Sequence, residues 1–240
     1  HRVAAIDQHI ACQPIKLTKQ RDPFQALLAQ AHRAPRHRQA KHHQVIVGDV
    51  VGDDQAALQR FSGSDGLSSM GRGIVLARQN RINEASTAFD QALKAAPDDP
   101  LVLREAGAFH YRKGDMGRAD GLLSKAMRID PKDYMAAFFY ARMLDETNRQ
   151  AQAANYYKQV LRYVPEDAEV HEAYARSLGK TGNTPDAYIH MAYSAIYSHN
   201  KKLAERYFNE AKSMSARTTD KTAFKRLETV YKERKEIWDK

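Results

Sequence analysis

His171-Glu172-Ala173-Tyr174-Ala175 is the stretch of this chain nearest to a catalytic signature. A zinc peptidase helix needs two histidines one turn apart to chelate the metal, with a glutamate between them as base. Here Ala175 stands where the second ligand must be, so the match fails at an obligatory position and His171 is expected to be a packed histidine. His32, His37, His42 and His43 have no ligand spacing that belongs to a known scaffold. Cys12 is the sole cysteine, which excludes a disulfide or a cysteine zinc site within one chain. No glycine-rich phosphate loop and no nucleophile elbow occurs. The expectation is a chain that is not an enzyme and holds no metal or cofactor.

The elements that carry these residues are set by a repeat. Ala85, Ala119, Ala153 and Ala187 recur every 34 residues, each followed four positions on by a large apolar residue: Phe89, Leu123, Tyr157 and Met191. Pro97, Pro131 and Pro165 close the first three units. This pattern resembles the tetratricopeptide repeat, in which an A helix and a B helix form a hairpin and the hairpins stack. The resemblance covers about Gly66 to Met214. It implies an all-α, right-handed superhelical solenoid of antiparallel helix pairs.

The first unit places an A helix near Leu67–Gln79 and a B helix at Ile82–Ala95. The second uses Pro100–Lys113 and Met116–Ile129, and the third Tyr134–Thr147 and Gln150–Tyr163. The fourth opens with Ala168–Lys180. Asn80, Gly114, Asn148 and Gly182 fall at the A-to-B turns, where a left-handed backbone is required. Gly73, Gly107, Ala141 and Ala175 are the small A-helix contacts. Ser69 and Arg72 replace large apolar residues of the family pattern, so the first A helix is expected to be frayed. Ala204, Phe208 and Ala211 repeat the B signature only 17 residues after Ala187. The helix near Pro185–Ser198 must therefore be the B helix of one pair and the A helix of the next. Phe224, Leu227, Val230, Tyr231 and Trp238 share one face of a final helix, Asp220–Asp239, which reads as a terminal cap within 215–240.

Residues 1–65 differ in kind. No Glu precedes Glu84 and no Tyr precedes Tyr111, while Arg, His, Gln and Pro abound. Such a segment supports little core, and its bias is that of out-of-frame translation of a GC-rich gene. Pro23–Ala31 could form a short helix and Gln44–Val51 a strand. A net charge of +9 is spread among interspersed acidic residues, which argues against nucleic acid as the partner. No run of about 18 apolar residues exists for a membrane span.

By analogy with the tetratricopeptide family, positions 2, 5, 9, 12 and 13 of each A helix line an inner wall. In the second unit these are Leu101, Arg104, Ala108, Tyr111 and Arg112, in the third Met135, Phe138, Arg142, Asp145 and Glu146, and in the fourth Glu169, Glu172, Arg176, Gly179 and Lys180. The resemblance thus implies a site for a protein or peptide carrying acidic and apolar groups. Its candidate residues are Arg104, Tyr111, Arg112, Met135, Phe138, Arg142, Glu146 and Arg176. Replacing Phe138 and Arg142 together is expected to weaken binding without unfolding the chain. The segment from Ala168 to Met214, with DAYIHMAYSAIYSHNKKLAERYFNEAKSM, further resembles the C-terminal repeat region of bacterial periplasmic HExxH zinc metallopeptidases, here without the catalytic domain. That resemblance implies a periplasmic docking module for unfolded or assembling envelope proteins. The alternative is a stand-alone assembly factor for a pilus or secretion machine, or a cytoplasmic regulator.

Overall fold

A computed structural model of the chain describes residues 54–240. The predicted helix Pro23–Ala31, the predicted strand Gln44–Val51, His32, His37, His42, His43 and Cys12 lie outside the described residues. Among the described residues every regular element is helical: α1 (Asp54–Arg60), α2 (Gly66–Arg78), α3 (Ile82–Ala95), α4 (Pro100–Lys113), α5 (Met116–Ile129), α6 (Tyr134–Glu146), α7 (Gln150–Tyr163), α8 (Ala168–Lys180), α9 (Thr184–Tyr197), α10 (Lys201–Ser213) and α11 (Lys221–Trp238). A short 3-10 turn, Ser215–Arg217, precedes α11. The described residues fall into two compact units, one ending at Ala136 and the other starting at Ala137.

In the unit ending at Ala136, α2 pairs with α3 and α4 with α5. What permits the pairing is the absence of side-chain bulk on the A helices. A Cβ added at Gly107 would stand 2.7 Å from Leu123 Cγ, and one at Gly73 would stand 2.9 Å from the Phe89 ring. The reciprocal small residues, Ala85 and Ala119, are wholly buried. Phe89 and Phe109 stack at 4.8 Å and join the two pairs in one core with Val75, Ala92 and Val102. Asp65, Asp99 and Asp115 cap α2, α4 and α5 by accepting backbone N–H bonds, and Pro100 occupies the first turn of α4. Asn80 and Gly114 take the left-handed backbone that their turns require, with φ of 61° and 86°.

The first A helix is continuous from Gly66 to Arg78, with Gln79 as its C-cap, which corrects the expectation of fraying. Its polar substitutions have a purpose. Arg72 donates to the carbonyls of Phe61 and Gly63 and to Ser69 Oγ. The guanidinium therefore ties α2 to the end of α1, whose Phe61 ring lies on Gly71 and whose Ala57 is buried in the same core. The folded part begins at least as early as Asp54, ahead of the boundary that composition places at residue 65.

In the unit starting at Ala137, α8 pairs with α9, and α9 packs against α10 as closely as it packs against α8. The double assignment of this helix is thus observed. Eight of its residues, including Ala187, Ile189, Ala192, Tyr193 and Ile196, are buried. The last helix, α11, covers α9 and α10 with Phe224, Leu227 and Tyr231, and Tyr231 stacks on Phe208 at 4.0 Å. Asp186, buried near the start of α9, accepts hydrogen bonds from Thr218, Thr219 and Asn183 and so anchors the connection into α11. Asn148, Gly182 and His199 have positive φ; the last was not foreseen from its residue type.

Two outcomes follow for stability. Gly107→Val should destabilise the fold by about 1–3 kcal/mol in urea titrations, because the added branch meets Leu123 and its backbone. Arg72→Leu restores the family's residue yet should also destabilise, by about 1–3 kcal/mol, because it strips the donor from two carbonyls. Hydrogen exchange should then rise first in 54–65.

Candidate functional site

The structure sorts the eight candidate residues by burial, and half of them are interior. In the unit ending at Ala136, Arg104 is only 6 % exposed. Its Nε and Nη2 bond Glu105 Oε1 at 2.9 and 2.7 Å, and its Nη1 bonds Asp133 Oδ2 at 3.1 Å. Burial works against this charge, but the carboxylates of Asp133 and Glu105 hold its pKa above the ordinary arginine value. Asp133 meanwhile uses Oδ1 to cap α6 through the N–H groups of Met135 and Ala136. Arg104 is thus the centre of a buried ion network. Tyr111 and Met135 are buried as well, and Arg112 is exposed.

In the unit starting at Ala137, Phe138 is 1 % exposed and meets Tyr157 edge-on at 6.3 Å. It is a core residue, and the expectation that Phe138 and Arg142 can be replaced together without harm is corrected: truncating a buried phenylalanine costs about 3–5 kcal/mol. The surface chemistry lies one turn further on. Arg142 sits 5.7 Å over the Phe138 ring and donates from Nη1 to Glu169 Oε1 at 3.1 Å, bridging α6 to α8. Lys180 Nζ lies 3.5 Å from Asp145 Oδ2 and makes a second bridge between the same helices. Glu172 and Arg176, 51 % and 43 % exposed, pair at 3.6 Å one turn apart on α8. Glu146 is exposed on α6. Glu169, Glu172 and Arg176 recur at i, i+3 and i+7 and so share one face of α8.

This face can recognise charge by ion pairs and hydrogen bonds. Its most unusual group is Glu169. Burial pushes its carboxyl up to about 7 despite Arg142, with Asp167 and Glu172 adding repulsion. Asp145 is raised from the ordinary carboxylate value, first by burial. The family positions include both residues, but nothing in the sequence signals their burial.

His171 is 4 % exposed and packed, as expected. What sequence reading missed is its partner: the Nδ1 atoms of His171 and His190 are 2.8 Å apart. Among the described residues no group of three or more His, Cys, Asp or Glu side chains is placed to hold a metal ion, and no helix is long and apolar enough to cross a membrane.

Residues 70–134 and 110–177 each match a tetratricopeptide repeat family profile. Interferon-induced protein with tetratricopeptide repeats 2 of Cricetulus griseus is 26 % identical over 141 residues, covering 55 % of this chain and 28 % of that protein. This chain thus spans under a third of that relative's length. The fold is similar to the MamA AMB-1 structure, with TM-score 0.52 and 20 % identity over 72 % of this chain and 95 % of that one. It is also similar to MamA 41-end from Desulfovibrio magneticus RS-1, with TM-score 0.53 and 17 % identity over 74 % and 97 % of the two chains.

The Glu169 environment gives a signed pH dependence. Burial pushes the Glu169 carboxyl up to about 7, above the ordinary glutamate value of 4.5, so the folded state holds the proton more tightly between those limits. The contribution of Glu169 to stability is therefore full below about 4.5 and is lost as pH rises to about 7. Glu169→Gln should remove this downward slope from the stability-pH profile measured by urea denaturation. An unchanged slope in the variant would show that Glu169 titrates as an ordinary exposed carboxyl.

Proposed function

Residues 70–177 carry tetratricopeptide repeats, and we propose that the chain is a non-catalytic scaffold that docks a peptide or unfolded protein segment on its A-helix faces. The observation that carries the reading is the charged face of α6 and α8. There Arg142 and Glu169 bridge the helices, while Glu146, Glu172 and Arg176 stand exposed beside them. The small residues Gly73, Gly107, Ala141 and Ala175 serve helix packing, which leaves recognition to these longer side chains. The exposed Glu172–Arg176 pair contributes little to folding, so its members can exchange partners when a segment binds. Arginine forks and carboxylates give such exchange its specificity.

The finer form of the proposal rests on the resemblance of Ala168 to Met214 to the repeat region of periplasmic HExxH metallopeptidases. In that form the chain is the substrate-docking part of an envelope quality-control peptidase, and its ligands are unfolded outer-membrane proteins. The alternative is a stand-alone assembly factor for a pilus, a secretion machine or another complex. It is favoured by one observation: a similar repeat fold makes up 95 % of the MamA AMB-1 chain, so such repeats can be nearly the whole of a structured chain.

The test compares the full chain with a Glu172→Lys/Arg176→Glu variant. Binding to a set of unfolded outer-membrane proteins and to folded envelope subunits would be read by fluorescence anisotropy. The variant should bind at least about tenfold more weakly, the worth of roughly 1.4 kcal/mol, with its melting temperature nearly unchanged. Equal binding by both proteins would remove α8 from the site. Broad retention of unfolded proteins supports the peptidase-docking form, and retention of one folded subunit supports the assembly factor.

A further inference from the structure

Two imidazoles meet head to head in the seam between α8 and α9. The ring centroids of His171 and His190 are 5.1 Å apart and their planes differ by 28°, while the Nδ1 atoms approach to 2.8 Å. Nitrogens so much closer than the centroids mean that the rings face each other edge to edge, along a hydrogen bond, instead of lying one over the other. Only one proton fits between them. His171 Nε2 is 2.9 Å from the carbonyl of Pro165, which can only accept, so that nitrogen carries a hydrogen. In the neutral ring His171 Nδ1 is then bare and accepts from Nδ1–H of His190. The second nitrogen of His190, Nε2, has no hydrogen in this arrangement.

The surroundings lock both rings. Tyr193 of α9 lies 4.8 Å from His171, and Tyr174 of α8 lies 4.4 Å from His190. Tyr197 of α9 is 5.7 Å from His171. The charges that act on His190 are Lys158 of α7, which disfavours a proton, and Asp186 of α9, which favours one. The seam can therefore take up one extra proton, on His190 Nε2, with the central bond kept and made charge-assisted. A second extra proton has only an Nδ1 to go to. It would set two N–H groups and two positive rings against each other across 2.8 Å.

We propose that His171 and His190 form a one-proton clasp that holds α8 to α9 at neutral pH and breaks when both rings become charged in acid. Burial pushes His171 down to about 4 and His190 well below its ordinary value, first by burial and then by His171 itself. Both groups therefore have depressed folded pKa values. Their contribution to stability is complete above about 6.5 and is lost as pH falls to about 4. Because α9 also packs against α10, the loss is transmitted to the last helices of this unit.

The experiment uses the full chain. Long-range proton–nitrogen NMR of the imidazoles at pH 7 should show His171 as the Nε2–H tautomer and His190 as the Nδ1–H tautomer. The same tautomer on both rings would overturn the clasp, and this measurement needs no variant. Near-UV circular dichroism, which reports the surrounding tyrosines, should then collapse on titration from pH 7 to 3. His190→Asn places an amide donor near the position of Nδ1, so it keeps the bond to His171 without titrating. The collapse in this variant should be less steep and centred roughly half a pH unit or more lower. An acid transition identical to that of the parent chain would sink the proposal.

Discussion

Everything above the level of the single helix depends on how closely two helices can approach. Gly73 and Gly107 put no side chain in the contact, and Phe89 and Leu123 from the partner helices fill the space directly over them. In the unit starting at Ala137, Ala141 and Ala175 put only a methyl group there and are wholly buried, and Tyr157 is the large buried residue of the B helix α7. The close packing is enthalpically favourable because dispersion falls steeply with distance. It also fixes geometry, since a helix seated in so tight a contact has little freedom to rotate. The side chains left over, on the far faces, therefore acquire fixed positions. The positions of Arg142, Glu169, Glu172 and Arg176 on α6 and α8 thus follow from the packing of Ala141 and Ala175.

Much of this was legible in advance, for reasons that can be named. The bounds of α3, α4, α5, α7 and α8 agree with the sequence reading because each has a stop signal of its own. Gly114 and Gly182 leave the helical backbone by positive φ after α4 and α8, Pro97, Pro131 and Pro165 follow the ends of α3, α5 and α7, and Asp99 and Asp167 restart the chain as caps. The double use of α9 was readable because a 34-residue pattern was broken after 17 residues. These are local signals, carried by single residue types.

What was not legible depends on burial and on partners distant in sequence. Arg104 and Phe138 occupy inner-wall positions by count, but neither faces solvent. Arg104 is held by Glu105 and by Asp133, 29 residues away, and Phe138 by Tyr157. Arg72 reads as a defect in the repeat until the carbonyls of Phe61 and Gly63 are seen beneath it. His171 and His190 are 19 residues apart with no motif to join them. In each case the residue type is polar or aromatic, and its role is set by what the fold brings to it. Counting positions along a repeat therefore does not tell how deeply a residue such as Arg104 or Phe138 is buried.

The two-faced helix α9 also limits how this chain can change over evolutionary time. Most helices of a repeat stack have one packing face and tolerate drift on the other. A helix that serves as B for α8 and as A for α10 has buried residues on nearly every side, from Ala187 to Ile196. Insertion or loss of a whole 34-residue period elsewhere preserves register, since each repeat needs only a neighbour of the same shape. The same event at α9 would have to restore two registers at once. Among the described helices α9 is therefore the one at which a gained or lost period would disturb two packed faces together.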